Sequence, residues 1–196
     1  YDMHGYGETV TLLGFTPEWW HVQVGEYTGF ITADGSILEQ RTGNYYDGYA
    51  TAQVHNPIST DRLNLRVEKT ENSASLGKYY NGCTVAIVQK GNDGWSRVRI
   101  GNLEGYMKNQ FLDFNAPKDQ QTEMLPKVTI QNSNGQGVNL RKQPSTHVNA
   151  VALYPNGTQV QVLGIAGEWC HVLIDGEIGF MMTQYLVPRL SFESTR

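Results

Sequence analysis

Two cysteines and five histidines are the side chains of this 196-residue sequence best suited to nucleophilic or metal chemistry. A thiolate nucleophile needs a lowered pKa, from a helix N-terminus or a nearby cation, and a base to orient it. Cys83 follows the turn residue Gly82, and Cys170 follows Trp169, with neither feature beside them. Both read as ordinary small side chains, and two cysteines make no disulfide framework. His4, His55 and His147 lie in turn-rich segments without ligand spacing. No C-x-x-C, H-E-x-x-H or calcium-loop pattern is present, and no glycine-rich segment forms a phosphate cradle between a strand and a helix. The sequence therefore predicts no metal, no cofactor and no catalytic residue, and the chain is expected not to be an enzyme.

Aromatic and arginine side chains are the better candidates for contact with a ligand. Trp19, Trp95 and Trp169 each stand three residues before a valine, at Val22, Val98 and Val172. An odd interval on a strand places the tryptophan opposite the core valine, unless a bulge reverses the face. Such a Trp caps a barrel edge, packs on a neighbour or lines a groove. Tyr79 and Tyr80 precede a turn, as does Tyr154, and one of the Tyr79-Tyr80 pair is expected inside while the other offers a flat apolar face with a hydroxyl. Arg66 and Arg141 share a sequence context and suit either an acidic neighbour or a ligand carboxylate. The candidate ligand contacts are Tyr79, Tyr80, Trp95, Tyr154, Trp169, Arg66 and Arg141. His21 and His171 alternate with core valines and are expected to point outward into solvent.

These residues recur because the chain repeats itself. Gly7, Gly82 and Gly157 each precede a Val by three, and the valines after the tryptophans each precede a glycine by seven, at Gly29, Gly105 and Gly179. An aromatic follows each of these glycines, at Phe30, Tyr106 and Phe180. Repeats are the signature of modular architectures. The second and third copies also share an upstream strand, RLNLR at 62–66 and GVNLR at 137–141, for which the first copy has no room. Leu63 and Leu65 alternate with Asn64 and Arg66, the period of a half-buried strand. A long loop is expected next, then the β-branched strand Thr84–Val88, a hairpin turn at Gly91–Gly94, a strand carrying Val98 and Ile100, and a short strand at Gly105–Met107. Five short strands per copy predict an all-β chain: a tandem array of three small β-barrels, the first truncated at its N-terminus. So short a barrel leaves little room for a catalytic cleft.

The N-L-R strand, the Y-x-N-G turn, the G-W-x-x-V hairpin and the G-Y/F-M strand ending in Leu resemble bacterial SH3 (SH3b) domains. The resemblance covers nearly all of 50–188 and, more weakly, 6–38. It implies that the three small barrels are SH3-like, of the kind that accompany secreted cell-wall hydrolases, some of which bind peptidoglycan peptides.

The boundaries follow from composition: repeat one at 1–48, repeat two at 49–114, a Pro-containing polar linker at 115–125, repeat three at 126–189 and a polar tail at 190–196. The aromatic segment Tyr45-Tyr46-Asp47-Gly48-Tyr49 is expected to cover the missing strand of repeat one, with Tyr45 or Tyr46 buried against it. Charge differs sharply among copies: repeat one carries one Arg against seven acids, net −6, whereas repeats two and three are +2 and +1. A net charge of −4 lacks the basic face that a general nucleic-acid binder requires. No apolar run is long enough to span a membrane. The chain starts abruptly at Tyr1 without a visible export signal. The function these features imply is non-catalytic and multivalent: binding of a cell-wall peptide or glycan by a secreted or wall-associated bacterial protein, beside or attached to a catalytic domain. The rival is a protein-interaction scaffold that does not touch the wall.

Overall fold

The computed structural model describes Tyr46, residues 49–116 and 124–190, and the backbone of three strands between 11 and 32. The chain divides into two compact units, Tyr1–Arg41 and Thr42–Arg196. Strands are the only extended regular elements among the described residues, with two 3-10 turns at Asn109–Phe111 and Thr183–Tyr185. No helix among them is long and apolar enough to cross a membrane.

In the first unit, β1 (Thr11–Phe15), β2 (Trp19–Val24) and β3 (Tyr27–Thr32) form a three-stranded antiparallel sheet. The register of β1 against β2 shifts between Leu12 and Gly14, so one extra residue is accommodated there. The truncation of repeat one and the position of Tyr45 lie outside the described residues.

The second unit holds both remaining repeats in one 14-stranded antiparallel sheet. Repeat two contributes β4 (Ala50–Val54), β5 (Arg62–Arg66), β6 (Ser75–Tyr80), β7 (Thr84–Lys90), β8 (Trp95–Ile100), β9 (Leu103–Lys108) and β10 (Leu112–Asp113). Repeat three follows the same plan: β11 (Lys127–Ile130), β12 (Val138–Arg141), β13 (Ala150–Tyr154), β14 (Gln159–Ala166), β15 (Trp169–Ile174), β16 (Glu177–Met182) and β17 (Leu186–Val187). Separate closed barrels are not what the ladders draw. The strand order runs β10-β4-β7-β8-β9-β5-β6-β14-β15-β16-β12-β13 without returning to its start. The reason is edge pairing: β6 hydrogen-bonds to β14 of the next repeat, and that neighbour satisfies backbone groups that a closed barrel would satisfy within itself.

Strands β6 and β13 occupy the span where a long loop was expected. In β6 the inward members are Gly77 and Tyr79, and a glycine leaves no apolar side chain to mark the buried face. The leading strands β4 and β11 also went unmarked, because ATAQV and KVTI are short and mixed. The turn at Gly91–Gly94 is as expected, with Gly94 at φ 87°, a conformation glycine adopts without strain.

Each repeat has its own core. Leu63, Leu65, Val85, Val98, Ile100 and Met107 lie in one, Val138, Leu140, Val160, Val162, Val172 and Met181 in the other. Leu125, at the end of the expected linker, is buried in the second repeat's core, so that segment is anchored rather than free. Tyr46 likewise packs on this core and its hydroxyl donates to the carbonyl of Thr84 at 2.9 Å. The contact seen for Tyr46 is with repeat two, and the expected burial against repeat one falls on residues outside those described.

Candidate functional site

Strand β5 alternates strictly: Leu63 and Leu65 face the core, and Arg62, Asn64 and Arg66 face outward. That outward row forms the floor of a groove of about 460 Å³. Lys78 of β6, Trp95 at the start of β8 and Lys108 at the end of β9 stand along it, with Asn56, Ile58 and Asp61 from the loop after β4, Glu71, and Phe111 of the 3-10 turn. Four cations against two carboxylates give the groove a positive balance.

The walls are fixed by hydrogen bonds. Asn56 and Asn81 clasp each other: Asn81 Oδ1 accepts from the Asn56 N–H at 2.7 Å and from its Nδ2 at 2.8 Å, and Asn81 Nδ2 donates to the Asn56 carbonyl at 3.0 Å. Asn109 holds the turn that carries Trp95, donating its N–H to the carbonyl of Gly94 and its Nδ2 to that of Gly91 at 2.9 Å. Trp95 sits on the outer face as the odd interval predicts, because β8 pairs with β9 without a bulge and Ser96, Val98 and Ile100 take the inner face. The Lys108 ammonium lies 5.7 Å from the centre of the Trp95 ring and also pairs with Glu71. That pairing holds the Glu71 carboxyl below the usual carboxylate range.

Arg66 Nη1 donates to the carbonyl of Ser73 at 2.6 Å, and its charge helps to lower the Glu71 carboxyl. Arg141 repeats the contact with the carbonyl of Val148, also seven residues on. Both arginines therefore clamp the loop between the N-L-R strand and the next one through a backbone carbonyl. Arg66 also lines the groove.

Tyr79 is fully buried, which removes it from the ligand contacts. Tyr80 is half-buried, with the Arg62 guanidinium 5.3 Å from its ring centre, and it packs on both repeat cores. Tyr154 and Trp169 are half-buried in repeat three, away from the groove. The groove thus gathers Trp95 and Arg66 and leaves out Tyr80, Tyr154, Trp169 and Arg141. Arg62, Lys78 and Lys108 went unnoticed in the sequence. Arg62 shares the outward period of Arg66, so that signal was available, but Lys78 and Lys108 required knowing that β6 and β9 flank β5.

His171 corrects a second expectation. It points away from its own core, yet it is only 1% exposed, because the edge of repeat two covers it. Its Nδ1 lies in hydrogen-bond contact with the Tyr79 hydroxyl, and its ring stacks on Phe180 at 4.1 Å with planes 4° apart. Burial lowers its pKa to about 3. Cys83 and Cys170 are buried free thiols whose pKa values are raised by the same desolvation, the opposite of what a nucleophile needs. Among the described residues no three of His, Cys, Asp and Glu gather to hold a metal ion.

Comparison with known proteins places this architecture. Along 188 residues the chain is 20% identical to YrvJ of Bacillus subtilis (strain 168), whose name assigns it to the N-acetylmuramoyl-L-alanine amidases. The match covers 92% of this chain but only 35% of that protein. Among solved structures, NlpC1 from Trichomonas vaginalis is 18% identical with a TM-score of 0.36, over 71% of this chain and 45% of that one. NlpC2 from the same organism is 17% identical with a TM-score of 0.35, over 72% and 48%. Residues 61–113 and 136–187, more than half of the chain, match the family described as bacterial SH3 domain. The repeats that carry the N-L-R strand and the tryptophan hairpin are therefore SH3b domains, and the chain belongs to the bacterial SH3 domain family.

Proposed function

We propose that this chain is a non-catalytic, extracellular binding module that holds a cell-wall component, and that the groove of repeat two is its principal contact. The observation that carries the reading is the positive, tryptophan-walled groove on β5, supported by similarity to a segment of a protein named as an amidase. Its chemistry suits a wall peptide: Lys78, Arg62 and Lys108 attract a carboxylate, Trp95 offers a flat apolar face, and Asn64 supplies hydrogen bonds. Repeat three is not an equivalent site. Gly137, Leu153 and Met182 stand where repeat two has Arg62, Lys78 and Lys108, so the same positions carry no cation. Repeats one, two and three, bounded near 48, 114 and 126, then act as unlike modules on one tether rather than as three copies of one site. The chain works beside a hydrolase or as part of one, in the secreted or wall-associated setting that such partners occupy.

The test is sedimentation with purified bacterial walls. Binding is expected in moderate salt, without release of soluble muropeptides, and Lys78→Glu is expected to weaken it by about tenfold, the effect of roughly 1.4 kcal/mol. Failure to sediment with walls of several peptide types would favour the scaffold reading.

A further inference from the structure

The junction between repeats two and three is built on the edge of β14. One side of β14 pairs along β15. The other is shared: β11 pairs from Gln159 to Gln161, and β6 takes over with Gly164 opposite Tyr79 and Ile165 opposite Lys78. Gly164 admits β6, because a Cβ there would lie 2.7 Å from the Tyr79 ring and 2.8 Å from the Lys78 carbonyl oxygen. Gly164, His171 and Phe180 form one row across three strands, Gly164 opposite His171 and His171 opposite Phe180, and the Tyr79 hydroxyl bonds to the histidine in the middle.

Repeat two has Gln89, Arg97 and Tyr106 in this row. Repeat one has Gly14, His21 and Phe30, the same three residues as repeat three, in the same register: Gly14 opposite His21 and His21 opposite Phe30. Even the bulge is reproduced, between Leu12 and Gly14 as between Val162 and Gly164. Among the described residues β2 is the one strand paired with β1, and none of them pairs with its other edge. At the opposite end of the repeat order, β13 stands where β6 stands in repeat two, with Tyr154 at the place of Tyr79. Its neighbour among the described residues is β12 alone, Leu153 is 64% exposed, and the Tyr154 hydroxyl makes no hydrogen bond with them.

We infer that the β1 edge, at the row Gly14–His21–Phe30, is an acceptor for the β13 edge of a second copy of this chain, with Tyr154 set opposite Gly14 and Leu153 opposite Phe15. The charges agree: the acceptor repeat is −6 and the donor repeat +1. Donor and acceptor are different surfaces, so the contact is heterologous, and a copy that gives its β13 edge keeps its own β1 edge to accept another.

Sedimentation velocity of the 196-residue chain over a wide concentration range tests this without any wall material, so its outcome is separate from that of wall binding. The expected result is a sedimentation coefficient that climbs past that of a dimer. Gly14→Gln, which installs the residue repeat two has in this row, is expected to raise the dissociation constant at least a hundredfold while leaving the far-UV spectrum unchanged. Tyr154→Phe, at the other end, is expected to raise it about tenfold. Excess G14Q chain retains β13 and is expected to cap the wild-type assemblies at short lengths. A wild-type chain that stays monomeric at high concentration, or association that G14Q leaves intact, would overturn the inference.

Discussion

The Tyr79 hydroxyl and the His171 Nδ1 lie 2.9 Å apart, joining the core of one SH3b repeat to the face of the next. Repeats two and three are therefore one body at this point, and the bond is shielded from water because both residues are buried. In the low dielectric of that site the imidazole stays neutral.

Stability should fall in acid because of it. The pKa of His171 is about 3 in the folded chain, against roughly 6.5 for an unfolded histidine. Between these values the unfolded state binds a proton that the folded state refuses. The contribution is complete above about pH 6.5 and is lost on acidification toward pH 3, with a slope of about 1.4 kcal/mol per pH unit. Urea unfolding from pH 7.5 to pH 4 measures it, and His171→Gln is expected to flatten that part of the profile.

Gly164→Gln is expected to separate the two repeats. A side chain there meets the Tyr79 ring and the Lys78 carbonyl at under 3 Å, and the backbone contact cannot simply rotate away. The cost is expected at about 2–4 kcal/mol. Calorimetry is expected to resolve two transitions where the wild-type unit gives one.

Trp95 and Tyr79 are expected to respond oppositely. Trp95→Ala removes a half-buried groove residue, so wall binding drops about tenfold while stability falls by less than about 1.5 kcal/mol. Tyr79→Ala empties a core position and is expected to cost about 3–5 kcal/mol. Equal stability losses in the two variants would show that Trp95 is structural and would move the site elsewhere.

Arg66→Ala and Arg141→Ala are expected to loosen the loops they clamp, at about 1–2 kcal/mol each. Amide exchange should rise at residues 67–74 and 142–149 respectively, with the core strands still protected. Protection unchanged in both loops would remove the clamp assignment.

Much of the fold could be read from the sequence where a side chain marks the buried face. Leu63, Leu65, Val98 and Ile100 announce their strands by alternation, and the glycine-tryptophan spacings announce the repeats. Strand β6 was hidden because Gly77 holds one of its inward positions, and β4 because its five residues alternate weakly. The groove was legible in part: the period of β5 pointed to Arg66, and a strand's odd interval put Trp95 on the outer face. Lys78 and Lys108 depend on pairing between strands far apart in sequence, which periodicity does not encode. The misjudged His171 has the same origin. Its orientation follows from strand alternation, but its burial is supplied by a tyrosine 92 residues away.

The pairing of the first and last strands within repeats two and three has a mechanical consequence. Leu112 and Asp113 of β10 lie antiparallel to Val54 and Gln53 of β4, and Ile130 and Thr129 of β11 lie antiparallel to Leu186 and Val187 of β17. The chain therefore enters and leaves each repeat at the same end of its terminal ladder. Tension applied along the polypeptide loads this ladder one rung at a time, like a zipper, instead of shearing all its rungs at once. A short terminal strand peels off first, and each of these two repeats acts as a soft extensible link before its core is strained.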